Sequence, residues 1–258
     1  MSNPAQFSDL GTRLASAVVM TVIGAFAIVQ GGMWFQALAV LIGGLMAWET
    51  LRMHGASAMY VIVGAIVFAF ALGLNVIAPS FVFAIAALVL VALLSLGVSK
   101  SRLTTGVALV LILIACSALV QLRQTSMINL LFLAGCVIAS DIGGYFAGRI
   151  IGGPKFWPAV SPKKTWSGTI GGWVLAAIVG VAFVSFAGFG IQTVFYGVVL
   201  AMAAQAGDLA ESWMKRRAEI KDSSNLIPGH GGLLDRFDGF MGAAVLTGLV
   251  LLATGNWG

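Results

Sequence analysis

Residues 208–239 read DLAESWMKRRAEIKDSSNLIPGHGGLLDRFDG and form the most strongly charged stretch of an otherwise apolar chain. The stretch holds six of the nine acidic residues, five of the fourteen lysines and arginines, and one of the two histidines, His230. Charge beside a membrane is costly to keep in place, so its concentration in one segment indicates a function. Acids mixed with bases and a glycine-rich turn are typical of a metal-assisted site for a polyanion such as a phosphate ester.

The rest of the sequence has the composition of an integral membrane protein. Its 258 residues are 60% hydrophobic and 9% charged, whereas a soluble domain is about 25% charged. A helix needs roughly 20 apolar residues to cross a bilayer. Long apolar runs predict an all-α polytopic membrane protein with about nine transmembrane helices, near residues 14–30, 33–51, 59–76, 80–98, 104–122, 127–148, 167–187, 193–214 and 238–256.

The basic residues predict the orientation of these helices. If the N-terminus is cytoplasmic, thirteen of the fourteen lysines and arginines fall on the cytoplasmic side and only Arg123 falls outside. This is the positive-inside distribution, so the net charge of +5 reflects topology and predicts no nucleic-acid partner. We therefore expect an N-terminal group of five membrane helices, residues 1–125, and a C-terminal catalytic region, residues 126–258. Loops 149–166 and 215–237 of this region would face the cytoplasm.

Two acids lie near the ends of predicted spans. Asp141, in the run ASDIGGYFAGR, lies near the cytoplasmic end of the sixth span. Acids inside membranes are functional by default, so we predict that Asp141 is a ligand or metal carboxylate in a polar cavity. A structural pair with Arg149, two turns on, is the alternative. For Glu49, near the end of the second span, we expect an interfacial pair with Arg52, three residues on.

The segment GGPKFWPAVSPKKTWSG, residues 152–168, is the next polar stretch. Ser161, Lys163, Lys164 and Thr165 are a compact set of hydroxyls and cations that leads directly into a predicted helix. Helix N-termini favour phosphate, so we predict that these residues bind a phosphate group. The order of residues is not that of a Walker A loop, and an ordinary basic loop is the alternative.

Acidic residues flank the charged stretch on both sides. Gln205, Asp208 and Ser212 share one polar stripe on the eighth span, and Asp235 follows the loop. Asp208 and Asp235 are positioned to hold a divalent ion between them. Oxygen ligands suit Mg²⁺, which usually keeps substrate phosphates in its remaining positions. The glycines around His230 let the backbone approach a ligand closely.

Residues 212–238, SWMKRRAEIKDSSNLIPGHGGLLDRFD, resemble the signature of phosphatidate cytidylyltransferases, also called CDP-diacylglycerol synthases. The family pattern is Ser-x-apolar-Lys-Arg, four residues, Lys-Asp, then Pro-x-His-Gly-Gly-apolar-x-Asp-Arg-x-Asp. Every fixed position is matched over 27 residues. The upstream segments with Asp141 and Tyr145, and with Ser161 to Thr165, also resemble the family. Ser167 departs from it, because the family has an acid there.

The resemblance implies that CTP and phosphatidate give CDP-diacylglycerol and pyrophosphate with Mg²⁺, in an all-helical membrane protein that forms a homodimer. A second metal ion belongs to the same expectation, and the short chain resembles the bacterial members, which implies an inner membrane. The catalytic residues would be Asp208, Asp235, Lys164, Lys215 and Arg236, with Asp208 and Asp235 binding the metal. The substrate-binding residues would be Ser161, Lys163, Thr165, Arg216, Lys221, Asp222, His230, Gly231, Gly232, Asp238 and Asp141.

Two other functions are alternatives to this one. A CTP-dependent lipid-alcohol kinase, similar to the dolichol kinase group, would transfer the γ-phosphoryl group and release CDP. The complete match over the 27-residue signature disfavours it. A transporter would carry charges near the membrane midplane on broken helices, whereas here the charges cluster at one membrane face.

Overall fold

The computed structural model describes residues 4–255, and the side chains of residues 11–255 apart from residue 81. Its described residues form nine helices, which confirms the predicted all-α polytopic fold. Eight are long and apolar enough to cross a membrane, while α4 has only 16 residues. The helices are α1 Pro4–Gln30, α2 Gly32–Met53, α3 Ala58–Ile77, α4 Phe81–Leu96, α5 Arg102–Thr125, α6 Met127–Ile150, α7 Trp166–Ala187, α8 Gln192–Arg217 and α9 Leu234–Ala253.

A short hairpin replaces the loop that was expected between α6 and α7. Strand β1, Lys155–Trp157, pairs antiparallel with β2, Ser161–Thr165. Successive side chains of a strand point to opposite sides, so Lys163 is exposed while Lys164 is turned inward and half-buried. The hairpin ends at Thr165, whose side chain caps α7 by accepting a hydrogen bond of 3.2 Å from the Gly168 amide. The backbone therefore holds Lys164 one residue before this cap.

The main hydrophobic core is shared by helices of both halves of the chain. Leu51 of α2, Leu72 of α3 and Leu109 of α5 belong to the same buried cluster as Met214 of α8 and Leu234 of α9. The helices that carry the charged stretch are thus packed directly against the N-terminal helices. The division proposed at residues 125 and 126 stays a prediction, and the packing is continuous across it.

Arg123, the one basic residue assigned to the non-cytoplasmic side, joins α5 to the hairpin between α1 and α2. Its Nε donates to the Ile28 carbonyl oxygen at 2.6 Å, and its Nη2 donates to that of Val29 at 3.1 Å. These carbonyls belong to the last turn of α1, where no intrahelical donor remains. Gly31 alone separates α1 from α2, with a φ of 64°. The cation therefore satisfies the end of α1 at a very tight turn.

Glycines allow α8 and α9 to approach within backbone contact. A Cβ atom at Gly207 would overlap with the carbonyl oxygen of Asp238, and one at Gly242 would overlap with that of Ala203. Small residues are the usual means of close packing between membrane helices, because lipid gives no hydrophobic drive for association. The contact places Asp208 of α8 beside Asp238 of α9.

We expect Gly207→Ala to force α8 and α9 apart. The added methyl group has only backbone atoms to displace, so the variant should lose about 1–3 kcal/mol of stability, as overpacked sites do. Gly24→Ala is the matched control, since a Cβ atom there meets nothing within 4 Å. Thermal unfolding of both variants in detergent measures the effect, and equal midpoints would contradict the close contact.

Candidate active site

An ion pair between β2 and α8 forms the centre of the site. The Nζ of Lys164 lies 2.7 Å from Oδ2 of Asp208, and the two side chains are 19% and 39% exposed. Lys164 Nζ also donates to the carbonyl oxygen of Gln205 at 3.4 Å, and Ser212 Oγ donates to Asp208 Oδ1 at 3.4 Å. The polar stripe predicted on the eighth span is thus present. Asp208 remains accessible enough to reach a ligand.

Gln205 fixes the turn of α8 that carries Asp208. Its Nε2 donates to Ser140 Oγ and to the Thr169 carbonyl oxygen, both at 3.2 Å, and its Oε1 accepts from Trp173 Nε1 at 3.0 Å. These bonds connect α6, α7 and α8 through one amide. A part-buried amide that hydrogen-bonds to two neighbouring helices makes a rigid junction, so the position of Asp208 is set by three helices.

Two further aspartates, one from α6 and one from α9, interact electrostatically with this ion pair. Asp141 of α6 and Asp238 of α9 interact electrostatically with Asp208 and with each other, and Asp141 also interacts with Lys164. The alternative pair of Asp141 with Arg149 is not observed. The Arg149 Nη1 atom instead donates to the Tyr145 hydroxyl at 2.6 Å. Asp141 therefore interacts with the Lys164–Asp208 pair and not with Arg149, and its role as a ligand or metal carboxylate stays a prediction.

Asp235 occupies a different environment, at the start of α9. Its Oδ1 lies 2.6 Å from Lys215 Nζ. Its Oδ2 accepts hydrogen bonds from the amide and hydroxyl of Ser223, at 2.9 and 3.0 Å, and from the Gly232 amide, at 2.9 Å. One carboxylate oxygen therefore pairs with α8, and the other holds the loop between α8 and α9.

Glu211 completes this second cluster and was not predicted as a site residue. It is only 3% exposed, and its Oε2 lies 2.5 Å from Lys215 Nζ. Its Oε1 accepts no hydrogen bond from the described residues. The spacing of Glu211 and Lys215 by four residues on one helix was the available signal. Asp238 also interacts electrostatically with Lys215, so it lies between the two clusters.

The glycine-rich turn is anchored to α1 as well as to α9. Ser16 Oγ and His230 Nδ1 are 2.8 Å apart, and Arg236 Nε donates to the His230 carbonyl oxygen at 2.9 Å. Gly229 and Gly231 have φ values of 75° and 85°, a region that favours glycine. The side chain of His230 is thus directed at the first helix and shapes the turn.

The remaining predicted residues lie at the surface of the hairpin and the loop. Ser161 is half-buried, whereas Lys163, Arg216, Lys221 and Asp222 are exposed. The structure does not bring these five side chains into the cluster around Asp208 or the cluster around Lys215. Their predicted contacts with substrate phosphates stay predictions.

The oxygen donors of the site fit Mg²⁺. Among residues 11–255, no three His, Cys, Asp or Glu side chains are arranged to hold a metal ion by themselves. Mg²⁺ usually takes only one or two carboxylates and leaves its other positions to water and substrate phosphates. Asp208, with Asp141 and Asp238 beside it, supplies donors of this kind. The predicted pairing of Asp208 with Asp235 stays a prediction, and Asp235 is already committed to Lys215 and the loop.

The fold and the site define a polytopic membrane protein with an ionic cluster among its last four helices. The model of the cytidylyltransferase family matches residues 11–253, and the chain belongs to this family.

Several curated proteins named phosphatidate cytidylyltransferase are similar to parts of this chain. The protein from Brucella suis biovar 1 (strain 1330) is 47% identical over 122 residues, which cover 46% of this chain and 44% of that protein. The protein from Staphylococcus saprophyticus is 39% identical over 137 residues, covering 52% and 53%. The protein from Staphylococcus aureus (strain COL) is 38% identical over 135 residues, covering 51% and 52%. The matched part spans about half the length of these relatives.

The two lysines should differ sharply in their effect on stability. Lys215→Met leaves Glu211 and Asp235 buried without their cation, which should cost about 3–5 kcal/mol. Lys164→Met breaks a more exposed pair and should cost about 1 kcal/mol or less. Unfolding in a denaturing detergent series measures both free energies, and a loss for Lys164→Met as large as that for Lys215→Met would refute this assignment.

Proposed function

We propose that the protein is a phosphatidate cytidylyltransferase, which converts CTP and phosphatidate to CDP-diacylglycerol and pyrophosphate with Mg²⁺. The observation that carries the proposal is the Lys164–Asp208 pair, with which Asp141 and Asp238 interact electrostatically. This arrangement offers oxygen donors for a divalent ion and an ammonium group for phosphates. The curated relatives support the choice of substrates, since they carry this name.

The chemistry needs positioning more than it needs a base. The phosphate oxygen of phosphatidate is already anionic, so it attacks the α-phosphorus of CTP while the bond to pyrophosphate breaks. Mg²⁺, when bound, neutralises phosphate charge and aligns the two reacting groups. Lys164 would contact the phosphates and offset the negative charge that builds on pyrophosphate. Asp208 would hold the metal, with Asp141 and Asp238 as its nearest acidic neighbours.

The proposed topology brings both substrates to one site. We infer that the N-terminus and the charged loops face the cytoplasm, where CTP is dissolved, in a bacterial inner membrane. The distribution of lysine and arginine supports this orientation, and the relatives are bacterial proteins. Phosphatidate would enter sideways from the lipid. A homodimer is proposed on the family resemblance.

Product analysis tests the reaction. Detergent-purified protein with CTP, phosphatidate and Mg²⁺ should form CDP-diacylglycerol and pyrophosphate in equal amounts. Asp208→Asn should reduce the rate by more than about 100-fold, because the metal loses a charged ligand. CDP release with a polyprenol or diacylglycerol acceptor would instead establish the lipid kinase. No product with any lipid would overturn both.

A second experiment should distinguish the roles of the two predicted metal carboxylates, Asp208 and Asp235. Asp208→Asn should raise the Mg²⁺ concentration needed for half-maximal activity by about tenfold or more, with little change in the unfolding midpoint. Asp235→Asn removes the negative charge that pairs with Lys215 and puts an NH2 group either against Lys215 or against the three loop donors, so it should lower the midpoint clearly. An Asp235→Asn chain as stable as the wild type, with a raised Mg²⁺ requirement, would restore Asp235 as a metal ligand.

A further inference from the structure

Glu49 of α2 is completely buried and contacts the opposite end of the chain. It is 0% exposed. Its Oε1 accepts hydrogen bonds from Ser224 Oγ at 2.5 Å and from the Leu233 amide at 2.9 Å, and its Oε2 accepts from the Leu234 amide at 2.7 Å. The expected interfacial pair with Arg52 is wrong, because Arg52 lies over the ring of Trp48. A contact across more than 170 residues replaces it.

These bonds make Glu49 a cap for a helix to which it does not belong. Helix α9 begins at Leu234, and its own N-cap residue, Leu233, has no side chain that can accept a hydrogen bond. The first amides of a helix lack intrahelical partners, and a negative charge there is favoured by the helix dipole. A buried carboxylate is stable only when donors surround it. The first amides of α9 therefore find their acceptors in Glu49, and the buried carboxylate finds its donors in these amides.

The cap acts on the same loop that Asp235 holds. Ser223 donates to Asp235 and the next residue, Ser224, donates to Glu49. At the other end of the loop, Gly232 donates to Asp235 and the next residue, Leu233, donates to Glu49. The loop is thus clamped at both ends between one carboxylate from α2 and one from α9.

Gly232 shows how closely this clamp is built. A Cβ atom at position 232 would overlap with Ser223 Oγ and with Glu49 Oε1. The second glycine of the His-Gly-Gly turn is therefore required by the approach of Glu49. The first turn of α9, which Glu49 caps, also begins the helix that carries Asp238 four residues after Leu234.

We propose that Glu49 is a positioning residue for nucleotidyl transfer. It acts through the loop and the first turn of α9, which set the positions of Asp235 and Asp238 relative to Asp208. The N-terminal helices thereby contribute to the active site and not only to packing. The effect of Glu49 on the reaction rests on the proposed function, whereas the contacts of Glu49 with the loop and α9 do not depend on it.

Glu49→Gln is the sharpest test, because it keeps the size of the side chain. The amide replaces one acceptor oxygen with a donor that must face Leu234 N–H, Leu233 N–H or Ser224. Thr50→Val is the matched control: Thr50 is the next residue, equally buried, and its hydroxyl bonds only within α2. Glu49→Asp is the second variant, which keeps the charge but withdraws it by one methylene group.

Two readouts decide the proposal, both taken below the unfolding temperature of each variant. Hydrogen exchange of residues 223–238 should become faster in Glu49→Gln and stay unchanged in Thr50→Val. The maximal rate should fall about 10–100-fold and the Mg²⁺ requirement should rise, as when the supporting partners of metal ligands are lost. Glu49→Asp should fall between Glu49→Gln and the wild type in both readouts.

Each part of the proposal would be contradicted by a different result. Unchanged exchange in Glu49→Gln would overturn the clamp. Faster exchange with wild-type kinetics and Mg²⁺ dependence would overturn the positioning role and leave a structural contact. A wild-type chain that forms no CDP-diacylglycerol would defeat the proposed function, and the exchange data alone would then decide whether Glu49 holds the start of α9.

Discussion

One buried cation determines how the two charged helices are joined. Lys215, near the end of α8, lies between Glu211 on its own helix and Asp235 on the first turn of α9. A buried charge that loses its partner is strongly unfavourable. Helices α8 and α9 therefore cannot separate at this end without exposing or neutralising three groups. The loop with the glycine-rich turn therefore joins two helix ends that this ion pair holds together.

The rest of the site is built from contacts that do not depend on hydrophobic burial. In lipid, apolar side chains gain little by meeting each other, so close backbone packing and polar contacts decide which helices associate. Gly207 and Gly242 provide the first kind of contact between α8 and α9. Gln205 provides the second between α6, α7 and α8. Gly207 and Gln205 lie within one turn of Asp208, so these contacts fix the position of this side chain on its membrane helix.

The helices were predictable from the sequence because a chain that crosses a membrane must hydrogen-bond its own backbone, and each such helix needs a long apolar run. Their ends were less predictable. The last run was expected from residue 238, yet α9 begins at Leu234, since Asp235 and Arg236 give no apolar signal. The β1–β2 hairpin was not predicted, because its two strands are short and the second contains a proline. Its residues Lys163, Lys164 and Thr165 were nevertheless correctly expected to lead into a helix N-terminus.

Site residues were predictable where one segment carries them and unpredictable where the chain must fold to bring them together. Asp208, Lys215 and Asp235 stand out as charges in an apolar sequence. The contacts between these residues were not predictable. Asp208 was expected to share a metal ion with Asp235, whereas Asp208 pairs with Lys164 and Asp235 pairs with Lys215. Glu49 shows the limit most clearly. Local spacing offered only Arg52 as its partner, and the true partners lie in a loop that no periodicity connects to α2.

The Lys164–Asp208 pair has a consequence for the order in which ligands bind. Without a divalent ion, the ammonium group neutralises the carboxylate that the ion would use. On the proposed function, an ion bound by Asp208 would release Lys164, and the ammonium group would then be available to an anionic ligand. Binding of the proposed cation and of the proposed polyphosphate would then be thermodynamically coupled, and each would strengthen the other by the same factor. A single salt bridge would in this way link the binding of a cation to the binding of an anion at the same site.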